Sequence, residues 1–158
     1  MSLFKSFFKK KEEEPAPEGM PITPEQKALV QETFVSVAVI SEQAAEIFYN
    51  KLFELDPSLK PMFKGDMKEQ GRKLMAMLAT AVKGLDDLET LVPAVQDLGR
   101  RHLTYGVEDA HYDTVAAALL YTLETGLGKA WNPKVQDAWT TVYVVLADTM
   151  KGAAAQAA

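Results

Sequence analysis

Cysteine is absent from this 158-residue chain, so it cannot build a disulfide, a thiolate-ligated zinc, an iron–sulfur cluster or a cysteine nucleophile. Histidine is nearly absent: His102 and His111 are the only two. No apolar run approaches the ~18 residues that a membrane-spanning helix needs. Ser2, Ser6, Ser36, Ser41 and Ser58 lie in no elbow-like context, which removes the usual serine triad. There is no glycine-rich phosphate loop. An excess of positive charge is missing too, since the net charge is −5. That argues against nucleic acid as a partner, because phosphate binding needs a cationic surface. What is present is 47% apolar residues, enough for a core that buries roughly two-thirds of the unfolded surface. The expectation is one small, soluble, cytoplasmic domain.

Residues 1–21 differ from the rest. Leu3, Phe4, Phe7 and Phe8 recur at helical spacing among Lys5, Lys9, Lys10 and Lys11. A cationic segment with an aromatic face can lie on an anionic membrane surface or dock on a partner, making peripheral membrane association one expectation. A disordered arm, or a helix packed on its own domain, is the plainer alternative. The segment lacks the apolar run and cleavage site of a secretory signal. Glu12 to Gly19 read as a polar linker.

The folded domain is expected over residues 22–152, with 153–158 as a flexible Ala-rich tail. Thr23-Pro24-Glu25-Gln26 combines an N-cap, a first-turn proline and a capping-box glutamine, predicting a helix to about Val37. Ser41 is expected to cap a second helix that stops at Asp56-Pro57, with a short helical turn to Met62. Asp66 and Glu69 form another capping-box signature, opening a helix to Gly84. Asp86 or Asp87 caps the next, which Pro93 is expected to kink or split and Gly106 to end. A long helix runs from about Glu108 to Leu127, and Asn132-Pro133 opens the last, to about Lys151. No segment alternates as a strand would, so the fold class is all-α, with six to eight helices.

Function has to be sought in polar residues on apolar faces. His102 continues the face set by Leu91, Val95 and Leu98. A neutral imidazole there can donate one nitrogen to the Leu98 carbonyl and present the other as a metal ligand. A satisfied core histidine is the plainer reading. Tyr49 lies with Ala45, Leu52 and Phe53, and Gln70 with Leu74 and Leu78. Buried, a phenol and an amide need partners. They can satisfy each other, or converge on a small polar ligand such as a metal-bound diatomic. His111 with Asp109 and Asp113 does not share one helical face and reads as surface charge.

Taken together, these motifs resemble the bacterial globins, with the likeness lying nearest to single-domain globins and the haem domains of flavohaemoglobins. It covers about Ile22 to Lys151. It is carried by Ile47-Phe48-Tyr49, Asp56-Pro57 leading to Phe63, Gln70 with Leu74, Asp97-Leu98-Gly99-Arg100-Arg101-His102, Tyr105-Gly106-Val107, Tyr112, and Asp137-Ala138-Trp139 through Tyr143. The resemblance implies a globin fold around haem b, with His102 as the proximal iron ligand and Phe63 as the aromatic wedging the haem. It implies Tyr49 and Gln70 as the distal pair, Leu74 beside them, and Leu98, Val107 and Tyr112 among the haem-binding residues. With glutamine in the distal position, five-coordinate ferrous iron is expected, binding O₂, CO and NO.

That resemblance leaves three functional expectations open. One is reversible O₂ binding, for storage or transport. Another is a nitric oxide dioxygenase served by a separate reductase, since the chain leaves no room for a reductase domain of its own. The last is a gas sensor anchored through Leu3 to Lys11. In flavohaemoglobins a glutamate late in the last helix meets the tyrosine matched by Tyr112. Here the corresponding stretch is Lys151-Gly152-Ala153-Ala154.

Overall fold

Thr23 opens the first helix by reciprocal capping. Its hydroxyl accepts from the Gln26 backbone N–H at 3.1 Å, and its own N–H donates to the Gln26 side chain at 3.2 Å. In the computed structural model, which describes residues 22–157, helix α1 then runs Pro24–Val39. The same Gln26 reaches across the core to donate to the Thr141 hydroxyl at 3.2 Å, tying the start of α1 to the last helix.

Helix α2 spans Ser41–Leu55. Ser41 is its first residue, not its cap. The cap position belongs to Ile40, which has no side chain able to accept a bond, although its carbonyl accepts from Ala44 at 2.8 Å. Asp56 caps a short 3₁₀ turn, Pro57–Met62, by accepting from the Ser58 N–H. Helix α3, Met67–Gly84, begins at Asp66, whose carboxylate accepts from Lys68 N–H at 3.0 Å. The expected reciprocal bond from Glu69 is not made, because Glu69 pairs with Arg72 at 2.9 Å.

Helix α4, Leu88–Thr104, is capped by Asp87 and is not split by Pro93. The proline is the sixth residue of the helix, so what it removes is the one amide bond to the Glu89 carbonyl, and the helix runs through that loss unbroken. Gly106, at φ +87°, supplies the left-handed turn beyond the helix. Helix α5 covers Asp109–Leu127, and a 3₁₀ turn, Gly128–Ala130, leads to helix α6. Helix α6 is Pro133–Ala157, opened by Asn132 accepting from Val135 N–H at 3.0 Å. It outruns the Lys151 end expected from the sequence and carries a buried Ala153.

Helix α6 lies between α1 and α4, while α2 packs on α3 and α5. Trp139 joins α6 to α1. Its ring meets Phe34, with centroids 6.3 Å apart, and its indole N–H donates to the Thr33 hydroxyl at 2.9 Å. Val30, Leu52 and Leu123 are fully enclosed between the layers, each burial contributing roughly 1.5–3 kcal/mol. The described residues contain no strand, and none of their helices is long and apolar enough to cross a membrane. The amphipathic segment of residues 1–21 lies outside the described residues.

Candidate functional site

The face of α4 changes character along its length. Leu91 and Val95 are buried, but Leu98 and His102, next on the same stripe, are only half-buried. His102 Nδ1 lies 2.9 Å from the Leu98 carbonyl oxygen, one turn back. Burial lowers the imidazole pKa below its ordinary value; the Leu98 carbonyl works against that shift, and the Arg101 charge adds to it. In the neutral ring Nδ1–H donates to Leu98, which leaves Nε2 as the nitrogen with a free lone pair. No described residue hydrogen-bonds it.

The backbone around this ring is fixed twice. The His102 carbonyl accepts from the N–H groups of Tyr105 and Val107, at 3.1 and 3.0 Å, closing the helix end. Three residues earlier Gly99 is buried against the α6 backbone, where a Cβ would sit 2.6 Å from Met150 Cα. Glycine is what lets α4 come so close to α6.

The aromatic residues of α2 and the following turn form one cluster. Tyr49 is buried, edge-on to Phe48 at 5.1 Å and to Phe63 at 5.3 Å, and stacked on Phe53 at 6.0 Å. Burial pushes its phenol up to about 12, so at neutral pH it is a hydrogen-bond donor. It donates to the backbone carbonyl of Gln70 over a long 3.3 Å. The Gln70 amide donates elsewhere, to the Lys64 carbonyl at 2.9 Å. Tyr49 and Gln70 are therefore brought together, but not as two side chains satisfying each other. Leu74, one turn on from Gln70, is half-buried against the core.

Tyr112 opens α5 and is buried, its phenol pKa raised by burial and by Asp109. Its carbonyl accepts from the Tyr143 hydroxyl at 2.6 Å. The Lys151 ammonium stands 5.4 Å from the centre of its ring, beside a cavity of about 60 Å³ lined by Leu119, Val144 and Asp148. Tyr112 thus meets a cation from the Lys151–Ala154 stretch, which the resemblance had set in the place of the flavohaemoglobin glutamate. That Lys151 itself covers the ring had no local periodic signal, since the two residues stand on different helices. His111 is drawn into a cap: its Nδ1 accepts from Glu108 N–H at 2.9 Å. Among the described residues no three His, Cys, Asp or Glu side chains form a metal-binding group.

The family model described as Globin matches residues 46–150. This chain belongs to the globin family. It is 31% identical over 138 residues to a neuroglobin of Danio rerio, covering 78% of this chain and 87% of that one. A flavohemoprotein of Bordetella parapertussis is 30% identical, matching 83% of this chain but only 33% of its own length. The chain therefore spans about a third of that relative. An anaerobic nitrite reductase of Oryza sativa subsp. indica is 30% identical, with 80% and 91% covered. The fold alone is similar to a crystal structure of a hexacoordinated heme protein from an anhydrobiotic tardigrade, with TM-score 0.80 at 17% identity, covering 89% and 99% of the two chains. A fish, a bacterium and a rice plant supply these relatives, so the similarity reaches across the globins and does not single out the bacterial single-domain ones.

Globin membership implies haem, and this globin's residues fit one. The donor set is a single neutral imidazole with Nδ1 committed and Nε2 uncommitted, which is how an axial ligand is oriented by its second partner. Phe63, Leu74, Leu98 and Val107 add half-buried apolar surface.

Proposed function

We propose that this globin is a haem-b protein that reversibly binds O₂, and also CO and NO, at a five-coordinate ferrous iron. The observation that carries the reading is the Nδ1 bond from His102 to Leu98, which turns the imidazole into a one-sided ligand. The haem, when bound, supplies the ferrous iron that takes the diatomic ligand. Phe63, Leu98, Val107 and Tyr112 would contact it from the protein side. His111, the other histidine, would have to give up the Glu108 N–H before its ring could serve as a second protein ligand, which supports the five-coordinate reading.

On the distal side the chain supplies two hydrogen-bond donors. The Tyr49 hydroxyl holds its carbonyl partner over 3.3 Å, so it can turn to a polar ligand at little cost, at most about 1 kcal/mol. Gln70 must release the Lys64 carbonyl to do the same, a shorter bond. Tyr49 is accordingly the primary donor and Gln70 the secondary one. In a low-dielectric site such bonds strengthen, which favours slow O₂ loss. Spectra of the ferrous protein without added ligand test the coordination: five-coordinate high-spin bands are expected, and a six-coordinate low-spin spectrum contradicts the proposal.

A second reading rests on the flavohemoprotein relative: a nitric oxide dioxygenase, reduced by a separate protein. Lys151 beside Tyr112 weighs against it, since a cation at that position does not make the proximal ligand more electron-rich. Sustained NO consumption over many turnovers with a reductase present would favour the enzyme; stoichiometric consumption favours the carrier. In either reading the protein works in the cytoplasm. Membrane attachment would rest on residues 1–21.

A further inference from the structure

The chain is acidic, yet among the described residues one stretch is not. Between residues 60 and 73 stand five cations, Lys60, Lys64, Lys68, Arg72 and Lys73, against two acids, Asp66 and Glu69. All five cations are exposed. The other described residues carry eight cations and sixteen acids. Glu69 is taken by Arg72, and Asp66 is occupied in capping α3. Among the described residues the four lysines make no ion pair, whereas Lys27, Lys51 and Lys134 elsewhere do.

This collar adjoins the candidate haem site directly. It comprises the 3₁₀ turn, the Phe63–Asp66 link and the first turns of α3, and the Gln70 amide is bonded to the Lys64 carbonyl within it. Phe63, at the start of that link, packs edge-on against Tyr49. Met67, 38% exposed, offers an apolar point among the lysines. Charged rims around a small apolar centre are how transient protein interfaces are built.

We infer that this collar is the docking surface for an acidic one-electron donor protein, one carrying a flavin or an iron–sulfur cluster. The inference rests on the haem reading above and names a partner for that site. A negative partner is steered to the collar and repelled by the acidic remainder of the surface, which fixes its orientation at encounter. Docked there, the donor's reduced cofactor loses one electron and the ferric iron gains it, becoming ferrous; no bond is made or broken.

The test is a titration of the purified protein with a small acidic [2Fe–2S] protein at low and high salt, by calorimetry, with stopped-flow reduction of the ferric form in parallel. Lys64→Glu/Lys68→Glu is expected to weaken binding at least about tenfold, to flatten its salt dependence and to slow reduction in proportion. Lys129→Glu, an exposed lysine elsewhere, is expected to leave both unchanged. Equal binding by the double variant, or equal loss in Lys129→Glu, overturns the proposal. So does tight binding to phosphatidylserine vesicles with none to the [2Fe–2S] protein. The binding arm does not depend on the iron, so a failure of the haem reading shows separately, as a missing Soret band with collar binding intact.

Discussion

The backbone of Gly99 in α4 runs against the backbone of Met150 in α6, with the space for a Cβ filled by Met150 Cα at 2.6 Å. This contact holds the helix that carries His102. Gly99→Ala is expected to destabilise the protein by about 3 kcal/mol, because backbone cannot move aside as the end of a side chain can. The variant's haem retention should fall with its stability. Urea unfolding measures the first and absorbance after gel filtration the second. A loss below about 0.5 kcal/mol would show that α4 does not sit as described.

His102 makes stability depend on pH with a definite sign. Its folded pKa is below the ordinary value, chiefly through burial, so between the two values the unfolded chain binds more protons. The contribution is fully present above about pH 6.5 and is lost as pH falls from there towards the folded pKa. In haem-free protein, the drop in unfolding midpoint on acidification is expected to be smaller in His102→Leu than in the wild type. Equal drops would mean that the ring is not desolvated by the fold.

Tyr49→Phe separates the ligands. Loss of a hydrogen bond of ~0.5–1.5 kcal/mol should speed O₂ dissociation by up to about tenfold. CO carries less charge and should change far less. Stopped-flow displacement reads both, and equal acceleration contradicts the role given to the hydroxyl. Gln70→Leu should have the smaller effect on O₂, since its amide must first leave Lys64.

Most of the helical frame could be read from short-range chemistry. The Thr23–Gln26 box, Asp66 and Asn132 each announce a helix start through groups three residues apart or fewer, and the structure uses all three. Ser41 misleads because Ile40 carbonyl starts the helix without help from a side chain. Pro93 misleads because the helix absorbs the loss of a single bond to the Glu89 carbonyl, so the proline marks no boundary. The His102–Leu98 bond was legible for a similar reason: one helical turn fixes it. Contacts between distant segments were not. Nothing local marks Lys151 as the neighbour of Tyr112, or Gly99 as the seat of Met150. The direction of the Gln70 amide was equally hidden, since its acceptor is a backbone carbonyl that any residue at position 64 would supply.

In the function proposed, His102 alone from this chain would hold the iron. Optical spectra of the wild type beside His102→Ala, ferric, then dithionite-reduced, then exposed to O₂ and CO, decide it. The wild type is expected to show a Soret band, a five-coordinate ferrous form and a stable oxy spectrum, with the band lost or shifted in the variant and an external imidazole restoring it. A wild type with no Soret band after reconstitution, or a variant with the same spectra, would contradict the account.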